Sequence, residues 1–365
     1  MNATTSTNTL AAAFLQEGGQ SAEVVAGWLA DFISAAKISI DIAIYDCRLD
    51  HGPASIIREA LQARVAAGVR VRLAYDASRT KPQSHRDFEQ AGADFAPNET
   101  NERVAELGLP DALVRGVHGF PGLMHHKFVV RDREAVWTGS MNWSNDAMTR
   151  MENIALMLQS PRLAGYFTDA FTPLWERREI VSSGAFQTDA APLIFAGEAE
   201  PTDVDFSPGQ GEQINDWVAE RVLRARKRIV ICSMLINSSR VLNAFVEQMD
   251  RGAVEISGVY DRTQMLGVLR QWEQDGRLTW KIDAVNRLIA AGRLVGKNSV
   301  PYEASSSHNF MHNKTLVIDD QVVTGSYNLS HAAESNAENM LCIVSPALAQ
   351  RTVAYVDRLS VRFGK

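Results

Sequence analysis

The sequence predicts an α/β fold written as one unit twice over. Three observations carry that reading: helix-period and strand-period segments alternate along the chain, the same order of segments recurs about 185 positions on, and each copy ends in the same polar motif. In the first copy, residues 21–36 place Val25, Trp28, Leu29, Phe32 and Ile33 on one helical stripe with Ser21 as cap. Residues 38–46 alternate as a strand, 53–68 read as a helix closed by Gly68, and 69–76 return as a strand, which makes a β-α-β unit. From 213 onward a helix, a strand over 228–236, a helix over 238–252 and a strand over 254–261 repeat the order.

The offset is steady. Tyr75-Asp76 recur as Tyr260-Asp261, 185 positions further on, and the motifs below recur at 186 or 187. A spacing this long marks a duplicated domain, because solenoid repeats run to about 20–50 residues. Residues 181–212, rich in Gly, Pro, Ser and acids, read as the linker, leaving one lobe at 1–180 and another at 213–365. Segments 77–122 and 262–307 interrupt both copies at the same point, and inserts so placed are expected to line one face and shape a cleft.

Composition narrows the class. With 365 residues, 45% of them hydrophobic and 22% charged, the chain can bury a substantial core. The net charge of −6 and pI near 5.8 remove the general basic bias of many nucleic-acid binders, without excluding a local basic groove. Cys47, Cys232 and Cys342 are far apart and sit in apolar runs, so they read as buried free thiols in a reducing, cytoplasmic setting. No Cys/His cluster has zinc spacing, so no metal is expected. The N-terminus lacks the basic and apolar regions of a signal peptide, no run is apolar enough to span a membrane, and any membrane contact is expected to be peripheral.

The chemistry lies in the repeated motif. His125, Lys127 and Asp132 form H-x-K-x4-D, followed by Gly139-Ser140-x-Asn142; His312, Lys314 and Asp319 repeat it, followed by Gly325-Ser326-x-Asn328. One chance match is expected on the order of 0.01 times in such a chain, and two in a duplicated frame make coincidence a poor account. As strand residues two apart, His125 and Lys127 should share a face, as should His312 and Lys314. A hairpin through Asp132 brings Ser140 and Asn142 back beside the histidine. An imidazole titrates near 6.5, so one can be neutral and nucleophilic while its twin is protonated, and fixed ammonium and amide groups can stabilise charge developing on a phosphate.

With its duplicated motif the chain resembles the phospholipase D superfamily over most of its length. The resemblance implies two similar α/β/α lobes related by a pseudo-two-fold, with the motifs meeting at one site at the lobe interface. It implies cleavage or transfer of a phosphodiester through a phosphohistidine, with no cofactor. One of His125 and His312 would be the nucleophile and the other the general acid. Lys127, Lys314, Asn142 and Asn328 would hold the phosphate, supported by Ser140 and Ser326. Glu152 and Glu338, each followed by asparagine, match the acid that orients the histidine in family members. Asp132 and Asp319 complete the motif, although their setting also suits turn residues that only organise the hairpin.

The remaining histidines read more plainly: His126 is out of phase and structural, and His118, His308 and His331 are loop or rim residues, with His308 near enough to touch substrate. Lys281, Arg287, Arg293 and Lys297 read as a solvated helix face, with a phosphate-tracking groove as the sharper alternative. The expected partner is the phosphodiester substrate, either phospholipid or nucleic acid, and no obligate protein partner is implied. Segments around Gly325-Ser326 and Met124-His125 look like the small endonuclease-like branch, which is also linked to cardiolipin hydrolysis. An acidic chain favours a head-group hydrolase, which needs one phosphate held, over a nuclease that must track a strand. A non-catalytic phosphate-binding module is the reading from another class, and the intact motif pair argues against it.

Overall fold

The structure is a computed structural model and describes residues 8–77, 100–119, 122–302 and 307–364. Parts of both inserts, at 78–99, 120–121 and 303–306, and the start of the N-terminal stretch, 1–7, lie outside the described residues. The first lobe runs β1 (Thr9–Leu15), α1 (Ala22–Ser34), β2 (Ser39–Ile44), β3 (Cys47–Arg48), α2 (His51–Ala66), β4 (Arg70–Asp76), α3 (Thr100–Ala105) and β5 (Val114–Val117). It continues through β6 (Lys127–Arg131), β7 (Ala135–Gly139), β8 (Trp143–Ser144), α4 (Asn145–Thr149), β9 (Asn153–Gln159) and α5 (Pro161–Arg177). Between the lobes come β10 (Ala191–Phe195) and β11 (Glu198–Ser207). The second lobe runs α6 (Gly211–Arg224), β12 (Arg228–Ser233), α7 (Ser239–Arg251), β13 (Glu255–Asp261), α8 (Arg262–Asp275), α9 (Thr279–Ala291) and β14 (Leu294–Lys297). It ends with β15 (Lys314–Ile318), β16 (Gln321–Gly325), β17 (Glu338–Val344) and α10 (Pro346–Phe363).

Among the described residues fifteen strands form one sheet, ordered β14-β13-β12-β15-β16-β17-β11-β10-β1-β9-β7-β6-β2-β4-β5. Read from either edge the order is the same in kind, which is the duplication made visible. In each half two strands lie parallel to the one between them and the motif hairpin runs antiparallel beside it.

Apolar side chains bury both faces. On one side Ile40, Ile42 and Val71 meet Val25, Leu29 and Ile33 of α1 and Ile57 and Leu61 of α2, with α6 and α7 doing the same in the second lobe. On the other, Val130, Val136 and Ile154 meet Phe167 and Phe171 of α5, and Val317 and Ile343 meet Tyr355 and Leu359 of α10. Both covering helices start alike: Ser160 and Ser345 accept the backbone N–H of Leu163 and Leu348, and Pro161 and Pro346 follow, where the missing N–H removes no helical bond. Trp28 departs from the expected stripe and is 39% exposed, because α1 buries the arc centred on Val25, Leu29 and Phe32 and Trp28 sits at its margin.

Two further features differ from the sequence reading. The linker is not a loop: β11 pairs antiparallel with β17 from Thr202↔Ile343 to Ser207↔Glu338, folds back on β10, and β10 meets β1 at Thr9↔Ile194. Its polar residues alternate with apolar ones such as Leu193, Val204 and Phe206, which enter the core. Nor are the inserts external to the repeat, since each ends in a short strand, β5 or β14, that pairs in parallel with β4 or β13 and completes the sheet edge. Their four-residue length and internal glycine conceal them from a periodicity reading.

Among the described residues no helix is long and apolar enough to cross a membrane. All three cysteines are buried and free, and burial pushes each thiol above its ordinary range, furthest for Cys47 and Cys232. The native protein is therefore expected to leave Ellman's reagent unreacted at pH 8 over minutes and to react at three thiols once unfolded in guanidinium; rapid native labelling would contradict the packing.

Candidate active site

The motifs begin where the parallel strands end. Lys127 lies opposite Ile44 at the C-terminal end of β2, and Lys314 opposite Ser233 at the end of β12. His125 and His312 stand just ahead of these strands instead of within them, and so are not held by the ladder. Other bonds fix them. The N–H of the preceding residue, Met124 or Met311, donates to a carboxylate at the end of the neighbouring strand, Asp76 at 2.7 Å or Asp261 at 2.9 Å. The His125 N–H reaches Ala337 of the other lobe, whose own N–H returns to Leu123. Each lysine folds back, Lys127 Nζ donating to the His125 carbonyl at 2.7 Å and Lys314 Nζ to that of His312 at 2.8 Å. Tyr45, fully buried, lies edge-on to the His125 ring and beneath the Lys127 ammonium.

The ring nitrogens join the lobes. His125 Nδ1 lies 2.6 Å from Glu338 Oε2, and Asn336 Nδ2 donates to the other oxygen of that carboxylate at 3.0 Å. His312 Nδ1 lies 2.9 Å from Asn153 Oδ1, which also accepts the Ser140 hydroxyl at 2.8 Å. All four of these side chains, and His125 and His312 themselves, are buried. The two motifs therefore meet at one place, each histidine being held by the opposite half.

The expected roles divide on this geometry. Glu338 lies against the ring nitrogen of His125. Glu152 does not; its carboxylate takes the Lys297 ammonium at 2.6 Å and the Glu17 N–H at 3.3 Å, and Asn153 occupies the ring nitrogen instead. Burial pushes the Glu152 carboxyl above the usual carboxylate range and the Lys297 charge draws it part of the way back. Ser140 and Ser326 do not face a phosphate either: Ser140 holds Asn153 and the Ile154 N–H, and Ser326 accepts both N–H and amide of Asn339. They brace the wall that positions the histidines. The glycines before them are required, since a Cβ on Gly139 (φ 133°) would meet the Ile154 carbonyl oxygen at 2.1 Å, and one on Gly325 that of Asn339 at 2.2 Å.

Asn142 and Asn328 are buried, and the side-chain oxygen of each has no hydrogen-bond partner. Orphaned polar atoms are scarce in folded proteins, and these two are acceptors suited to a hydrogen-bond donor, which leaves the Nδ2 groups as the atoms able to meet a phosphate oxygen. Asp132 and Asp319 stand beyond the far ends of β6 and β15, about 16 Å along the chain from Lys127 and Lys314 at 3.3 Å per residue. Asp132 accepts the N–H groups of Lys37, Ile38 and Ser39, and Asp319 those of Arg226, Lys227 and Arg228. Both have φ near +55°, a conformation aspartate tolerates in tight turns. Their carboxylates are thus committed to backbone N–H groups ahead of β2 and β12, the turn-organising setting that the sequence also allowed.

His126 packs against Phe128 and Phe206, burial drives its pKa well below the ordinary value, and it is structural as expected. His308 is not at the rim; it is 1% exposed, stacked between Tyr302 and Phe310. The basic set of the second insert divides: Arg287 and Arg293 lie on a solvated face and the two lysines do not. Lys281 is buried over Trp272 and donates to the Asn237 carbonyl, Lys297 is buried on Glu152, and Arg287 and Arg293 pair with Asp250 and Glu255. Sequence reasoning missed Tyr45 and the contacts of Asn153, Lys297, Asp76 and Asp261. The signals were the asparagine after each glutamate and the recurring Tyr-Asp at the end of β4 and β13.

A domain family described as cardiolipin synthase, PLD-like domain, matches residues 29–175 and 218–360. The chain belongs to this phospholipase D-like family. Mitochondrial cardiolipin hydrolase of Homo sapiens is 33% identical over 57 residues, 16% of this chain and 23% of that protein. The protein of the same name from Chlamydomonas reinhardtii is 26% identical over 148 residues, 40% of this chain and 55% of that one. The chain thus spans about a quarter to about half the length of these relatives. Phosphatidylserine synthase of Haemophilus influenzae shares the fold at 16% identity and a TM-score of 0.64, over 96% of this chain and 86% of that one.

Removing Asp132 or Asp319 should act on stability alone. Asp132→Ala and Asp319→Ala are each expected to lose about 1–3 kcal/mol in urea unfolding, from unpaired backbone donors and a left-handed site. Turnover per folded molecule should stay within twofold of the parent in both.

Proposed function

We propose that the chain is a phosphodiesterase that cleaves the head-group phosphodiester of a phospholipid through a phosphohistidine. The observation that carries this reading is the pair of buried imidazoles, each fixed at Nδ1 by the opposite lobe, so that the chemistry runs through Nε2. The Nε2 lone pair of one histidine attacks phosphorus, the bond to the leaving oxygen breaks, and the other, protonated histidine gives that oxygen its proton. That second histidine then takes a proton from the incoming water or alcohol, the P–N bond breaks, and both imidazoles are restored. Lys127 and Lys314 set positive charge beside the motif, and the Asn142 and Asn328 amides supply hydrogen bonds to the phosphate oxygens.

Lipid is favoured over nucleic acid by the charges. A strand-tracking enzyme needs a row of cations, and here Lys281 and Lys297 are buried while Arg287 and Arg293 face acids. The family description and the relatives' names, cardiolipin synthase and cardiolipin hydrolase, point the same way.

Phosphorus NMR of the protein in EDTA, offered phospholipid micelles and a single-stranded oligonucleotide together, separates the readings. A growing phosphatidate or transferred-lipid signal is the expected result. Terminal phosphomonoesters from the oligonucleotide would replace it with a nuclease, and no turnover of either by folded protein would leave a binding module. His125→Asn and His312→Asn are each expected to lower turnover at least a thousandfold with native circular dichroism retained; full activity in either would overturn the shared site.

A further inference from the structure

We propose that the helical pair α8 and α9 is the face by which this chain docks on an anionic phospholipid surface, its exposed apolar side chains entering the head-group layer and its unpaired arginines meeting lipid phosphates. This rests on the lipid phosphodiesterase reading above. Leu266, Trp280 and Val300 are 45%, 39% and 41% exposed, and all three belong to the second insert. Leu266 stands on the outward side of α8, turned away from the buried Gln264, Met265, Val268 and Trp272, with Arg262 and Arg270 one turn to either side of it. Glu273 is the acid on that side. Val300 lies beside the first turn of the same helix, where the Thr263 hydroxyl and the Gln264 amide donate to the carbonyls of Ser299 and Val300.

The charges of this segment run against those of the whole. From Arg262 to Arg293 there are six cations and three acids, in a chain whose net charge is −6. Arg277 pairs with Asp275, Arg287 with Asp250 and Arg293 with Glu255, and Lys281 is buried. Arg262 and Arg270 are exposed, and neither has an acidic partner among the described residues. Two unpaired cations interleaved with leucine, valine and tryptophan match a lipid interface, where guanidinium groups meet phosphates, aliphatic side chains pass beneath them and an indole sits at head-group level. A nucleic-acid strand offers phosphates too, but holding it takes a longer row of cations.

This face is continuous with the candidate site. Asp261 caps α8 through the Gln264 N–H and also holds the Met311 N–H, next to His312. Lys281, beside Trp280, donates to the Asn237 carbonyl, and the Asn237 N–H reaches the Leu329 carbonyl, next to Asn328. Both helices therefore begin at the end of the sheet where the two motifs meet. A bilayer held by them lies beside the groups that would act on its phosphates.

The test is flotation of the full chain with vesicles of phosphatidylcholine alone and with vesicles containing about 30% phosphatidylglycerol, alongside turnover of a water-soluble nitrophenyl phosphodiester. The parent is expected to float with the anionic vesicles and to be released in about 0.5 M salt. Each exposed cation is worth about fivefold in affinity at such a surface, so the double variant Arg262→Gln, Arg270→Gln should bind about 30-fold more weakly and lose its preference for anionic lipid. Leu266→Ser with Trp280→Ser should weaken binding about tenfold. Both double variants should keep native circular dichroism and turn over the soluble diester within about twofold of the parent, while turnover of vesicle lipid falls in step with binding. A parent that binds both vesicles alike or neither, or variants that float as the parent does, would overturn the inference. An oligonucleotide bound by the parent and released by the arginine variant, with no vesicle binding, would replace it with a nucleic-acid contact. Vesicle binding that the variants lose, in a parent that turns over neither lipid nor soluble diester, would uphold the docking face and overturn the phosphodiesterase reading.

Discussion

Each motif imidazole is held at Nδ1 by a buried acceptor from the other half of the chain, and the surrounding side chains are arranged around that exchange. Glu338 stays on His125 only while the segment at 336–338 is bonded to the backbone of Leu123 and His125, and Asn153 stays on His312 only while β9 is braced by Ser140. Neither lobe has a complete site of its own. Docking of the lobes and placing of the two histidines are one event, and the groups that hold the two rings are polar and buried.

That burial explains the supporting cast. A carboxylate taken out of water needs partners, and Asp76, Asp261 and Glu338 find them in backbone N–H, hydroxyl or amide groups at 2.6–3.0 Å. Where a suitable imidazole is not offered, as at Glu152, a lysine fills the place. The glycines ahead of Ser140 and Ser326 let adjacent strands approach closely enough for these hydroxyls to reach the next strand.

Much of the fold was legible because the duplication repeats every local signal: the two β-α-β units, the motif hairpins and the Ser-Pro helix starts all recur at one offset. The linker and the edge strands β5 and β14 were not, since short segments with Pro, Gly and acids form strands only when a sheet edge is waiting for them. For the site, residue types within one motif were readable and partners across the lobes were not. Sequence equivalence suggested that Glu152 and Glu338 act alike; only the position of Lys297, brought in by a strand the periodicity hides, separates them. The same limit hid the partners of Ser140, Ser326, Asp132 and Asp319, whose hydrogen bonds go to backbone groups on other strands and turns.

The hairpin of β10 and β11 ties the two copies covalently as well as through the sheet. Two identical chains paired about an exact dyad must present the same residue at both related positions, so any change to one histidine's surroundings is forced on the other. A fused pair is released from that obligation. Val117 and Lys297, opposite Asp76 and Asp261 at the ends of β5 and β14, show the freedom in use: the same place in the repeat is apolar in one half and cationic in the other.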